Sequence, residues 1–231
     1  MLIDSHCHLD HWREEEIPGV VSRAAEAGVR TLITIGTRLT QAATVKRIAD
    51  TFPDVWCTVG IHPHQAAEAP IPTVEAFVAL ADHPKVVGIG EAGLDYHYDR
   101  APRDIAAEVF RRQIRAARIT GLPLVIHARD ADADLAAILT DEHAQGGAFP
   151  FVLHCFSSGR ALAETGVALG GSVSFSGILT FRRSDDLRAL ARDLPADRLL
   201  VETDAPFLAP EPFRGKRCEP AMVAHTAAAL A

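Results

Sequence analysis

The chain has 231 residues, 48% of them hydrophobic, and 23 basic against 30 acidic side chains give a formal net charge of −7. That length gives ample chain to bury a core, and the acidic balance argues against wrapping duplex nucleic acid along a broad basic face. No apolar run approaches the ~18 residues of a bilayer span, and four scattered cysteines with no CxxC pair and no secretory leader fit reduced thiols in the cytoplasm.

In chain order, short apolar and β-branched runs begin near Leu2, Thr31, Val55, Val86, Leu124, Phe151, Ser172 and Leu199. The first and last start 197 residues apart, about 28 per interval, close to the size of a strand-plus-helix repeat. Helices are predicted between them. Residues 17–27 end at Gly28, residues 40–52 stop before Pro53, and a shorter one covers 73–81. Residues 102–120 carry Pro near the start and Gly121 just past the end, and 131–144, 159–169 and 185–194 follow. Residues 220–231 open an eighth helix. Buried strands alternating with helices imply a parallel sheet covered on both faces. Eight is the number that closes a TIM (β/α)8 barrel, and residues 1–231 are expected to form one such α/β domain. An open doubly wound sheet is the alternative.

Eleven histidines against two tyrosines is the odd entry in the composition, and their placement is informative. The first strand runs into Ser5-His6-Cys7-His8, and residues two apart in extended chain point to one side, so two imidazoles can converge. The third strand ends at His62-Pro63-His64, the fifth at His127 and the sixth at His154. The fourth and eighth end in carboxylates, Glu91 and Glu202-Thr203-Asp204. In a barrel all these ends ring one mouth, where active sites of this fold sit. Burying so many ionisable groups together is costly without a counter-charge, and a metal centre supplies it.

Nitrogen and carboxylate donors suit Zn, Mn, Fe or Co. Six candidate ligands (His6, His8, Glu91, His127, His154, Asp204) exceed the usual three of one catalytic zinc and point to two ions sharing a bridging carboxylate. Glu91 is chosen as the bridge, because it precedes a Gly-rich turn that lets backbone approach closely. Gly88-x-Gly90-x-x-Gly93 matches the dinucleotide fingerprint in letters, but no helix opens at its glycines. Ser157 and Ser158 lie outside any nucleophile elbow and are expected to cap the sixth helix. His11, His83, His97, His143 and His225 are expected to be surface or helix residues.

These segments resemble the TatD family of metal-dependent deoxyribonucleases, within the amidohydrolase-like metallo-barrels. The matching stretches are Asp4-Ser5-His6-Cys7-His8-Leu9-Asp10, Gly60-Ile61-His62-Pro63-His64, Gly90-Glu91-Ala92-Gly93-Leu94-Asp95-Tyr96, Pro123-Leu124-Val125-Ile126-His127-Ala128-Arg129, His154-Cys155-Phe156-Ser157 and Glu202-Thr203-Asp204-Ala205-Pro206. The resemblance implies that His6, His8 and Asp204 bind one ion, that His127 and His154 bind the other, and that Glu91 bridges them. It also implies substrate contact or support for the ligands from His62 and Asp95. Three departures stand out. The chain has one serine more after Phe156, Cys218 where the family usually has Asn, and an end reached before the additional helix with which members usually continue, so that a shortened C-terminal end is expected.

The activity implied is hydrolysis of DNA phosphodiester bonds, typically from a strand end, with DNA strand ends or single-stranded segments as the partner. Two divalent ions (Zn, Mn, Mg, Co or Fe) would lower the pKa of an attacking water and take up charge on the reacting oxygens. Asp204 would accept the proton, with Glu91 and His62 beside it as the catalytic set. Arg129 after the fifth strand, Arg182 and Arg183 after the seventh, and Arg214, Lys216 and Arg217 after the eighth are the candidate phosphate contacts. A glutamate-bridged deacylase or lactonase is the closest rival, since Lys46, Lys85 and Lys216 do not end strands and cannot supply a lysine bridge. A metal-binding protein without catalysis is the remaining alternative. Nothing in the sequence marks a membrane segment or an obligate protein partner.

Overall fold

The computed structural model describes residues 1–68 and 70–231. Strands β1 (Leu2–Cys7), β2 (Val29–Thr34), β3 (Val55–Val59), β4 (Val86–Asp95), β5 (Leu124–Arg129), β6 (Phe151–Leu153), β7 (Ser172–Phe175) and β8 (Leu199–Val201) lie side by side in chain order. Each consecutive pair is parallel. Helices α1 (Ile17–Glu26), α2 (Ala42–Thr51), α3 (Val74–Ala81), α4 (Arg103–Thr120), α5 (Asp132–Gly146), α6 (Arg160–Ala168), α7 (Asp185–Asp193) and α8 (Val223–Leu230) alternate with them. Sequential order with β8 returning to β1 is the TIM barrel and excludes the doubly wound sheet.

The ring closes through unusual chemistry. β8 has only three residues, and the seam to β1 is completed beyond its end, where Cys7 and Ala205 form a parallel bridge. Asp204 N–H donates to the His6 carbonyl at 2.9 Å, and His8 N–H donates to the Ala205 carbonyl at 2.7 Å. Buried Asp4 accepts the Thr203 N–H at 2.9 Å and the Thr203 hydroxyl at 2.5 Å. The seam therefore fixes His6 and His8 against Asp204.

Local signals account for the helices. Gly121, at φ 71°, stops α4 in the left-handed conformation that glycine adopts at little cost. Thr73 caps α3 by accepting the Ala76 N–H at 3.3 Å. α2 starts two residues later than predicted, because Leu39–Gln41 forms a separate 3-10 turn. Phe77 and Phe110 bury their rings completely between helices and sheet, while Phe175, Leu124 and Ile126 fill the strands; each large side chain contributes roughly 1.5–3 kcal/mol by leaving water.

Two expectations need correction. Glu91 is followed by further strand rather than a Gly-rich turn, since β4 runs on to Asp95. The register against β5 shifts between Ile89 and Ala92, a bulge that re-aims the chain at Glu91. Gly93, at φ 126°, is needed because a Cβ there would collide with the His127 carbonyl oxygen of β5. Neither Ser157 nor Ser158 caps α6. Gly159 occupies that position, and Asp132 Oδ2 accepts its N–H at 2.7 Å.

Candidate metal centre

The C-terminal ends of β1, β4, β5, β6 and β8 bring His6, His8, Glu91, His127, His154 and Asp204 into one cluster. Nε2 of His6 lies 3.2 Å from Nε2 of His8. Asp204 Oδ1 stands 3.6 and 3.4 Å from those two nitrogens, and Glu91 Oε2 stands 3.5 and 3.9 Å from them. The other oxygen of Glu91, Oε1, faces a second nitrogen group: His154 Nε2 at 2.9 Å, His127 Nδ1 at 3.2 Å and His62 Nε2 at 3.3 Å. One buried carboxylate thus divides its two oxygens between two sets of imidazoles.

Hydrogen bonds to the far ring nitrogens indicate which lone pairs face the centre. Glu202 Oε1 lies 3.1 Å from His154 Nδ1, and Asp95 Oδ2 lies 3.0 Å from His127 Nε2. With protons held there, His154 Nε2 and His127 Nδ1 turn lone pairs inward. His62 is different. Its Nδ1 accepts the His64 N–H at 3.1 Å, so a neutral ring carries its proton on Nε2 and donates towards Glu91. Although His62, Glu91 and His127 also bring three donor atoms within 4.8 Å, that tautomer makes His62 a hydrogen-bond donor rather than an ion ligand. Nδ1 of His6 and of His8 is buried without a partner among the described residues.

The electrostatics match this arrangement. Burial works against charge on Glu91, but the imidazoles around it, His62 and His154 foremost, hold its carboxyl well below the usual range. Burial also works against the His154 imidazolium, and the charges of Glu91 and Glu202 overcome it and push its pKa up. Burial dominates at His62 and lowers it to about 4. Four carboxyl groups (Glu91, Asp95, Glu202, Asp204) packed into one buried cluster draw protons onto His8, His127 and His154 in the ion-free protein, positive charge that bound cations would supply instead. The donor set, nitrogen and carboxylate oxygen at short range from one another, fits divalent cations.

A cleft of about 720 Å³ opens over the centre, lined among others by His8, His62, Glu91, His127, His154 and Asp204. Asp204 is its more open carboxylate, with 15% of the side chain exposed against 4% for Glu91. Arg129 lines the cleft as expected, together with Arg38 and Arg100. Arg214, Lys216 and Arg217 are outside its lining. Their heads lie over Phe181 at 3.8 Å, Phe213 at 5.6 Å and Trp12 at 4.6 Å, and Arg217 donates to the His11 carbonyl at 2.7 Å. The long connection after β8 gives these cations aromatic faces to cover, which a reading of strand ends does not reveal. Asp95, which also lines the cleft, sits behind His127 and reaches His64 Nε2 at 2.9 Å, so it holds both imidazoles in place.

Sequence reasoning missed His64 and His11. His64 lies on the 3-10 turn Pro63–Gln65 and shares Asp95 with His127. His11, expected on the surface, lines the cleft and stacks on His8 with ring centroids 5.1 Å apart. The His62-Pro63-His64 spacing was the available signal for the first, since Pro63 starts a tight turn that brings both rings together.

An eight-stranded barrel with these candidate ligands at the C-terminal ends of its strands has the layout of a metal-dependent barrel hydrolase. The model of the family described as TatD related DNase matches residues 3–231, and the chain belongs to that family. It is 39% identical over 236 residues to the uncharacterized metal-dependent hydrolase YcfH of Escherichia coli (strain K12), covering 100% of this chain and 87% of that one. Identity to the 3'-5' ssDNA/RNA exonuclease TatD of Escherichia fergusonii is 36% over 213 residues, 89% of this chain and 80% of the other. Among solved structures, the TatD homologue YJJV of Escherichia coli K12 superposes with a TM-score of 0.90 at 29% identity, covering 99% of this chain and 88% of that one. No helix among the described residues is long and apolar enough to cross a membrane.

Proposed function

We propose that residues 1–231 act as a single-domain deoxyribonuclease that hydrolyses phosphodiester bonds of DNA strand ends or single-stranded segments at a centre of two divalent ions. The observation that carries this reading is the division of Glu91, Oε2 towards His6 and His8 and Oε1 towards His127 and His154. His6, His8 and Asp204 would hold one ion, His127 and His154 the other, and Glu91 both. When bound, such ions make water a stronger nucleophile and neutralise charge on the phosphoryl oxygens.

The remaining steps belong to side chains of the chain. Asp204 combines a place in the ligand cluster with exposure to the cleft, which suits it to take the proton of the attacking water. Glu202 and Asp95 fix the tautomers of His154 and His127, so their lone pairs need no reorganisation. His62 donates towards Glu91 and steadies it. Arg129 and Arg100 offer guanidinium groups to the strand beside the centre. Four free cysteines support a cytoplasmic location, where the ion is drawn from Mg, Mn, Zn, Fe or Co.

The test uses ion-stripped protein reloaded in turn with Mg, Mn, Zn or Co. It is offered end-labelled single- and double-stranded DNA, RNA, an aminoacyl ester and a lactone. Ion-dependent shortening of DNA is the expected result, and cleavage confined to the ester or lactone would overturn the nuclease reading.

A further inference from the structure

Six large hydrophobic side chains are exposed among the described residues: Met1, Ile3, Tyr98, Ile119, Leu200 and Phe207. Scattered exposure of this kind is ordinary. Only the two aromatic ones, however, line the cleft over the centre. Tyr98 is 50% exposed and Phe207 51%, so neither ring is there to fill the core.

Their placement is matched. Phe207 follows Asp204 by three residues, and its N–H donates to the Asp204 carbonyl at 2.9 Å. Tyr98 follows Asp95 by three residues, and its N–H donates to Asp95 Oδ1 at 2.8 Å. Each ring is therefore anchored to a carboxylate residue of the centre. Asp204 lies past β8 and Asp95 ends β4, strands four places apart in a ring of eight, which sets the rings on opposite sides of the barrel mouth. Phe207 meets His11 edge-on at 5.7 Å, and Tyr98 meets His64 edge-on at 5.2 Å. The guanidinium groups of Arg129 and Arg100 lie over the Tyr98 ring, 5.0 and 5.3 Å from its centroid, and the ring stays half exposed.

Aromatic rings interleaved with arginines are what single-stranded nucleic acid needs, because every base offers a π face and every link a phosphate. Resting on the nuclease reading above, we propose that Phe207 and Tyr98 stack unpaired nucleobases on the two sides of the scissile phosphodiester. The incoming base displaces the Arg100 or Arg129 guanidinium from the face of Tyr98, and the displaced arginine takes the neighbouring phosphate. The selected ligand is then an unpaired base step, with little preference for which bases it holds. In a duplex the base faces are already stacked on one another, and the two rings would find no free face.

The test compares two end-labelled single strands of equal length with the Mn-loaded enzyme. One is oligothymidine, and the other carries abasic sites at its terminal positions. The wild type is expected to favour the base-bearing strand in kcat/KM by about tenfold or more. F207A and Y98A should each reduce that ratio by about tenfold, and F207W should restore it. F207L keeps an apolar side chain of similar bulk and should still reduce the ratio, with the far-ultraviolet spectrum and ion content unchanged. A wild-type ratio near one, or a ratio unchanged in the alanine variants, overturns the stacking proposal alone. Failure of the wild type to cut either strand removes the nuclease reading and the proposal with it.

Discussion

Nδ1 of His154 lies 3.1 Å from Oε1 of Glu202, while the opposite nitrogen of the same ring lies 2.9 Å from Glu91. Both partners are buried, so the ring has one orientation open to it, and with an ion at Nε2 the remaining proton would stay on Nδ1, facing Glu202. Glu202→Gln keeps the shape but removes the charge that fixes this proton. It is expected to weaken ion binding about 10–100-fold, measured by competition with a chelating dye. Unchanged affinity would mean that Glu202 does not position His154.

The ion should compete with protons. Burial disfavours charge on His8, but the hydrogen bond to Asp204 and the charges of Asp204 and Glu91 outweigh it and raise the pKa to about 8. Because the folded value exceeds the usual one near 6.5, ion-free protein draws stability from this proton below about pH 6.5 and loses it as pH rises through about 8. The contribution is about 2 kcal/mol at most. An ion takes the place of the proton, so the ion-induced rise in Tm is expected to be larger at about pH 8.5 than at about pH 6. Thermal scans with and without Mn at both values check this, and equal rises would contradict it.

The β1–β8 seam gives a prediction about folding and binding together. Thr203→Val removes the hydroxyl that bonds buried Asp4, whose pKa burial raises to about 8, and leaves that carboxyl group short of a partner. A loss of about 1–3 kcal/mol in urea unfolding is expected. Ion affinity should fall in the same variant, since the seam sets His6 against Asp204. Thr203→Ser should recover both quantities, and a variant that lost neither would show the seam to be held by the backbone alone.

Away from the centre, Glu142 of α5 is almost fully buried against three arginines of α4. Arg115 donates at 2.9 Å and Arg111 at 3.3 Å, and Arg118 approaches within 3.5 Å. Glu142→Ala removes an acceptor the three partly exposed arginines share, while Arg111 keeps Asp141 and Arg118 keeps the carbonyl of residue 142, and is expected to cost about 1–3 kcal/mol. Ion stoichiometry at low temperature should stay that of the wild type, because Glu142 does not line the cleft. Calorimetry and an ion titration on one sample separate the two effects.

The barrel and its ligand cluster were legible because one rule generates both. Strands that alternate with helices place all their C-terminal ends on one rim, so an ionisable residue at such an end is a candidate for the site. His6, His8, His127 and His154 follow from that rule alone. Glu91 was reached by a less accurate route, since a bulge in β4 and not a turn aims it inward. His64 had only the short His62-Pro63-His64 spacing to mark it, and His11 and the Asp4–Thr203 pair carry no periodic signal, so that tertiary closure brings them to the centre. The cations after β8 were misplaced for a related reason. A long irregular connection has no period, and Arg214 and Arg217 settle on Phe181 and Trp12, contacts that sequence distance does not encode.

The most direct measurement is the number of ions bound per chain, taken with DNA cleavage on the same samples of wild type and Glu91→Ala. Two ions per wild-type chain are expected. In the variant, ion-dependent cleavage should be lost, occupancy should fall, and the far-ultraviolet spectrum should be unchanged. A single ion in the wild type, or a Glu91→Ala protein that keeps both ions and its turnover, would contradict the assignment of Glu91 as the carboxylate shared between two sites.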